Sequence, residues 1–168
     1  GANGTEAKFV EADLLKIKIG EKTLKDLGCV LDGSGKIVLK GYGTLAKTDV
    51  DKVTFTATAD LPAGSYTFTD GATAKFSETI DLSAATGAIT VTGSEKTAEI
   101  IAGSGNTKIS GGKQTDTFTG AAGNDTLDAT AATVDSAMTG GKGADVFINN
   151  GANSATIKDY NYAEGDVF

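Results

Sequence analysis

The chain has no histidine, no tryptophan and no arginine, and it has one residue each of cysteine, proline and methionine. Each absence removes some chemistry. Without an imidazole there is no ordinary general base near neutral pH and no common zinc ligand. Cys29 has no second cysteine to pair with and no histidine to activate it, so it reads as a core residue of the apolar run around it. A single proline beside 23 glycines excludes a collagen helix. No apolar run approaches the ~20 residues a membrane-spanning helix needs. Neither G-x-S-x-G, H-E-x-x-H nor a phosphate-cradling loop occurs, so the reading is non-enzymatic. With every base a lysine, the 168 residues carry 15 basic and 22 acidic side chains, a net charge of −7. That balance disfavours nucleic-acid phosphates and anionic lipid, and suits a hard cation. Gly1 in place of a methionine reads as the start of a fragment of a longer chain.

The acid is unevenly placed. Residues 1–60 hold nine lysines and nine acids, whereas residues 61–168 hold six lysines and thirteen acids. The first part reads as a small β-rich lobe. Leu14–Ile19 alternates apolar and charged residues, Asp32-Gly33-Ser34-Gly35 marks a hairpin, and Val53–Ala59 alternates threonine with branched or aromatic residues. Glu21–Gly28 fits either a short helical piece or a bent loop. Leu61–Gly64 is a turn.

Beyond it a period emerges. The apolar centres Phe68, Ile80, Ile89, Ile100, Ile109, Phe118, Leu127, Met138, Phe147, Ile157 and Val167 recur about every nine to twelve residues, with Gly, Asn, Ser, Thr and Asp between them. Strands this short and turns this regular fit neither a sandwich nor a bundle. They fit a chain coiling on itself and burying one large residue per strand. The fold class expected is therefore all-β: a parallel β-roll or β-solenoid over 61–168, preceded by the lobe at 1–60.

Three units align on the apolar place: GGKQTDTFT (111–119), GAAGNDTLD (120–128) and GGKGADVFI (140–148). Each opens with glycine, has aspartate sixth and a large apolar residue eighth. AGSGNTKIS (102–110) keeps the frame but has Thr107 in the sixth place. This pattern resembles the RTX, or haemolysin-type calcium-binding, nonapeptide repeats of secreted bacterial proteins. The likeness covers 102–148 well and extends back to about residue 80. The closing stretch IKDYNYAEGDVF (157–168) resembles the segment that often follows such repeats; it predicts Ile157 and Val167 buried and Tyr160 over the end of the roll.

The resemblance implies that two units make one coil, that loops alternate sides, and that calcium lies between loops stacked on one side. It places the best site between GAAGND and GGKGAD. The implied ligands are the carboxylates of Asp125 and Asp145 and the carbonyls of Gly120, Ala122, Gly140 and Lys142. The unit 129–139 has eleven residues, and its two extra residues are expected to bulge on the opposite side. There Asp116, Gly111 and Asp135 form a weaker second candidate, with Asp135 out of register. The resemblance further implies an extracellular or cell-surface location, type I export, and folding on calcium after export. Two other readings remain. One is a calcium-independent structural or adhesin solenoid, able to meet a cell-surface partner or self-associate through an open strand edge. The other is the accessory domain of a secreted hydrolase.

Overall fold

Strands of three or four residues between polar turns are too short to build a stable hairpin sheet. They gain pairing when the chain coils and each strand meets its counterpart one coil later. The protein does this: the computed structural model is all-β, a β-solenoid of about four turns. It describes residues 8–49, 52–69, 77–93, 95–96, 98–114, 116–151 and 154–168.

Two parallel sheets form the walls. One contains β7 (Gly64–Thr69), β9 (Ile89–Thr92), β11 (Thr107–Ser110), β13 (Thr126–Asp128) and β15 (Val146–Ile148). The other contains β6 (Lys52–Ala57), β8 (Ser77–Asp81), β10 (Ala98–Ile101), β12 (Thr117–Thr119), β14 (Ser136–Thr139) and β16 (Ala155–Ile157). Each strand pairs with the next-but-one in sequence. The register stacks like on like: Val91, Ile109, Leu127 and Phe147 in one wall, and Phe55, Ile80, Ile100, Phe118, Met138 and Ile157 in the other. All but Ile157 are buried. Ile89, two residues from Val91, also faces inward, but its counterpart is Thr107, so Val91 and not Ile89 is the centre of that rung. Between β12 and β14 the register step is 20 residues, against 18 between β10 and β12. The eleven-residue unit thus lengthens a loop and leaves the rungs aligned.

The N-terminal lobe extends both walls. β1 (Lys18–Ile19) pairs antiparallel with β7 and with β2 (Lys22–Thr23), while β3 (Val30–Leu31), β4 (Ile37–Leu39) and β5 (Gly43–Asp49) run antiparallel onto β6. Both sheets therefore cross residue 60 unbroken, and one hydrophobic cluster runs from Phe9 to Phe147. Asp32 makes the expected hairpin turn, its Oδ1 accepting from the Ser34 and Lys36 amides. Leu14–Ile19 is not one strand. The Asp13 carboxylate accepts the Val10 amide at 2.8 Å and starts a 3₁₀ helix, Glu11–Leu15, so only Lys18–Ile19 is extended. Glu21–Gly28 is a bent segment: β2, then a turn closed by reciprocal Thr23–Asp26 bonds. At the other end Val167 is 51% exposed, contrary to expectation, while its neighbour Asp166 is buried. Strand parity explains this, because the inward place falls on Asp166. Ile157 is half-buried, and Tyr160 leans on Phe147 with ring centroids 6.3 Å apart.

Phe118 sits mid-column with no exposed surface. Phe118→Ala should cost about 3–5 kcal/mol in urea unfolding. Phe168→Ala, at a position 75% exposed, should change stability by under about 0.5 kcal/mol. Equal effects would contradict the column.

Candidate functional site

In a strand, residues two apart face the same side. The sixth place of each unit is two before the buried eighth place, so the aspartate is driven inward with the hydrophobe. Asp116, Asp125 and Asp145 are accordingly 0–1% exposed, like Phe118, Leu127 and Phe147. A carboxyl inside such a coil needs donors, and it finds one in the preceding coil. Asp125 Oδ1 accepts the Thr107 amide at 2.7 Å, and Asp145 Oδ1 accepts the Asp125 amide at 2.8 Å. Asp166 Oδ1 accepts the Asp145 amide at 3.0 Å. On the other wall Asp116 Oδ1 accepts the Ala98 amide at 2.9 Å, and the Ser136 hydroxyl accepts the Asp116 amide at 3.3 Å. Side chain and main chain thus form a ladder from coil to coil.

The second oxygen is a different matter. Oδ2 of Asp116, Asp125 and Asp145 is buried with no hydrogen-bond partner. In each unit it lies against the first-place glycine. A Cβ added at Gly111, Gly120 or Gly140 would sit 2.1, 2.5 or 2.2 Å from that oxygen, so a side chain there would displace the carboxyl. Burial pushes the Asp116 carboxyl up to about 6, although the Ala98 amide and, less, the nearby Gly112 amide oppose it. Burial pushes Asp125 up to about 7, with the charge of Asp145 adding to the rise. Asp145 is also raised, by burial first and then by Asp166, Asp159 and Glu164.

The implied primary ligands are brought together in part. Asp125 and Asp145 stand in successive coils, joined through the Asp125 amide. Ala122 and Lys142 form a parallel bridge, and the Lys142 amide donates to the Ala121 carbonyl at 3.1 Å. The Gly120 carbonyl accepts the Ala122 amide at 3.1 Å, and the Gly140 carbonyl faces the Gly120 Cα. Ala121 holds φ 73°, the left-handed value taken at the equivalent place by Gly141 (φ 98°), so the loop keeps its shape where the second glycine is lost. The second candidate is not assembled as a pair of acids. Asp116 meets Ser136, while the exposed Asp135 caps the Ser154 amide at 3.0 Å. One extra residue of register separates Asp135 from the inward place. Among the described residues no three Asp, Glu, Cys or His side chains gather at one point, so an ion here would rely on main-chain carbonyls.

Sequence reading passed over two acids. Asp159 accepts the Gly140 and Gly141 amides, both at 2.8 Å, one on each oxygen. Asp166 closes the ladder, its Oδ2 taken by the Asn161 amide at 2.7 Å. Asp166-Val167-Phe168 repeats the acid-x-hydrophobe triplet, and that signal was present in the sequence. Comparisons with family models, with curated proteins and with solved structures give no match.

The titration has a definite sign. A buried acid with a raised folded value favours the protonated form in the fold. Its contribution is complete below the unfolded value of 3.8 and is lost as pH rises through about 6 for Asp116 and about 7 for Asp125. In chelator, the urea midpoint should therefore fall between pH 5 and pH 8. Asp125→Asn should flatten that fall. A midpoint that rises over the same interval would refute the buried-acid account.

Proposed function

We propose that this chain is a non-enzymatic, calcium-binding β-roll module of a secreted or surface bacterial protein, folding on calcium after export. One observation carries the proposal: stacked, buried aspartates at matched loop places, each with one carboxyl oxygen lacking a donor. Such an oxygen is stable only if it holds a proton or faces a cation. The residues fit the group in chemical type. Asp125 and Asp145 supply carboxylates, and Gly120, Ala122, Gly140 and Lys142 supply carbonyls, the hard oxygen donors calcium prefers. When bound, the ion supplies positive charge to two carboxyls that burial otherwise drives toward protonation. The protein's own residues fix the rest: the coil-to-coil amide bonds hold both acids in register, and the first-place glycines leave them room.

A second reading has its own support. Each Oδ1 already has an amide, and burial raises all three carboxyls, so a roll holding protons instead of ions is chemically consistent. It corresponds to a calcium-independent structural or adhesin module.

Thermal unfolding near pH 7.5 separates the two. Calcium at about 100 times its Kd should raise the midpoint by about 5–10 °C relative to chelator. The Asp125→Ala/Asp145→Ala variant should lose that rise. No calcium effect on the wild type, with no heat of binding in calorimetry, would favour the protonated roll.

A further inference from the structure

Where the N-terminal lobe meets the first rung of the roll there is a cleft of about 270 Å3. Its walls are Ile19, Leu27, Leu39 and Tyr66, and its mouth carries Lys40 and Tyr42. Those four wall residues are among the few apolar side chains that pack on the core yet stay partly open to water. The column from Phe55 to Met138 and from Val91 to Phe147 is buried, whereas this cleft gathers four partly open apolar side chains in one concave place.

The two polar groups at the mouth are uncommitted. The Lys40 ammonium has no ion pair and no hydrogen bond among the described residues. The Tyr42 hydroxyl has no partner either, whereas Tyr66, deeper in, donates to the Pro62 carbonyl at 2.7 Å. Lys40 is held in place from below. Its stem crosses Gly28, where an added Cβ would sit 2.6 Å from Cε and 2.7 Å from Nζ. Its own backbone takes φ 32°, and besides Ala121 it is the only non-glycine with positive φ among the described residues. That φ, with φ 83° at Gly41, belongs to the tight turn between β4 and β5, closed by the Tyr42 amide on the Leu39 carbonyl at 2.6 Å, so the hairpin itself presents an unpaired cation beside the apolar cleft.

We propose that this cleft binds a small organic acid with a flat apolar body, an aryl or short alkyl carboxylate. Lys40 and Tyr42 hold the carboxylate, and the Leu27, Leu39 and Tyr66 faces hold the body. The volume is below the ~300–1,000 Å3 typical of sites for drug-sized ligands, so a one- or two-ring acid is the right size. A lone lysine suits a carboxylate as a point charge. The mainly apolar wall disfavours a sugar or a phosphate, whose many polar groups would be left unpaired.

The test is titration of the full chain with 2-naphthoate, followed by backbone amide NMR. The titration is run in calcium and again in chelator and is read in each condition where the amide spectrum is that of the folded chain, so that the result does not depend on the calcium reading. Amides of 19, 27, 39, 40, 42 and 66 should shift saturably. Lys40→Met should weaken binding about tenfold or more, the scale of one lost charge-assisted bond. Lys36→Met, an exposed lysine outside the cleft, should leave binding unchanged. Neutral 2-naphthamide should bind the wild type and Lys40→Met alike, and weaker than naphthoate binds the wild type. Tyr42→Ala, at an exposed position, gives a second variant that tests the mouth independently. No saturable shift at millimolar naphthoate, shifts centred elsewhere, or equal affinity in Lys40→Met would each overturn the proposal.

Discussion

The hydrogen bond from a main-chain amide of one coil to an aspartate carboxyl of the next is the constraint on which the roll depends. Where a loop turns into a strand, the amides of Ala98, Thr107, Asp125 and Asp145 donate to an aspartate carboxyl and not to a strand carbonyl. A buried amide without an acceptor costs about 1–3 kcal/mol. Asp116, Asp125, Asp145 and Asp166 each supply the acceptor from the following coil. Much else follows from that choice. A carboxyl in this place brings a second oxygen with it, and that oxygen needs a first-place glycine to lie against. The repeat thus ties its glycine and its acid together sterically, independently of any ion.

The contact runs one way along the chain, because each carboxyl reaches back to the coil before it. Asp166 repeats the contact for the Asp145 amide. It differs from the others in having both oxygens bonded, to the Asp145 and Asn161 amides. Asp159 acts beside it, taking the Gly140 and Gly141 amides, one on each oxygen. Residues 157–168 meet the preceding coil by polar contacts more than by apolar cover: Val167 and Phe168 are exposed while Asp166 is buried.

Much of this was legible from spacing alone. The eighth-place hydrophobes gave the rungs, and the eleven-residue unit gave the enlarged loop. The coiled all-β class followed from strand and turn length. The misreadings have common physical origins. An apolar count selects Ile89 and Val167 as rung centres, whereas parity measured from the sixth place selects Val91 and puts Asp166, not Val167, inward. Leu14–Ile19 alternates like a strand, but Asp13 caps the Val10 amide and a local turn prevails over the pattern. Asp159 was hidden because its role is a contact 18 and 19 residues back, and no local spacing encodes it. The cleft beside Lys40 was hidden because its walls come from the lobe and from β7, which only the fold brings together.

Charge is where composition misleads most. The thirteen acids of 61–168 suggest an acidic surface, yet Asp116, Asp125, Asp145 and Asp166 are 0–3% exposed. Setting those four aside leaves nine acids against six lysines, so most of the local excess lies inside the coil. The lysines of the repeats do not reach it. Lys142 is exposed, and Lys113 pairs at 3.1 Å with Glu95 on the surface, both side chains more than half exposed, a contact worth at most about 1 kcal/mol. The charge of the three carboxyls with unpaired oxygens must therefore be neutralised from within. A proton does so at low pH; on the calcium reading proposed above, a divalent cation would do so at neutral pH. Proton and ion compete for the same oxygens, so stability gained from one is stability the other cannot add. On that reading the pH response and a calcium response would be two readings of the same buried acids.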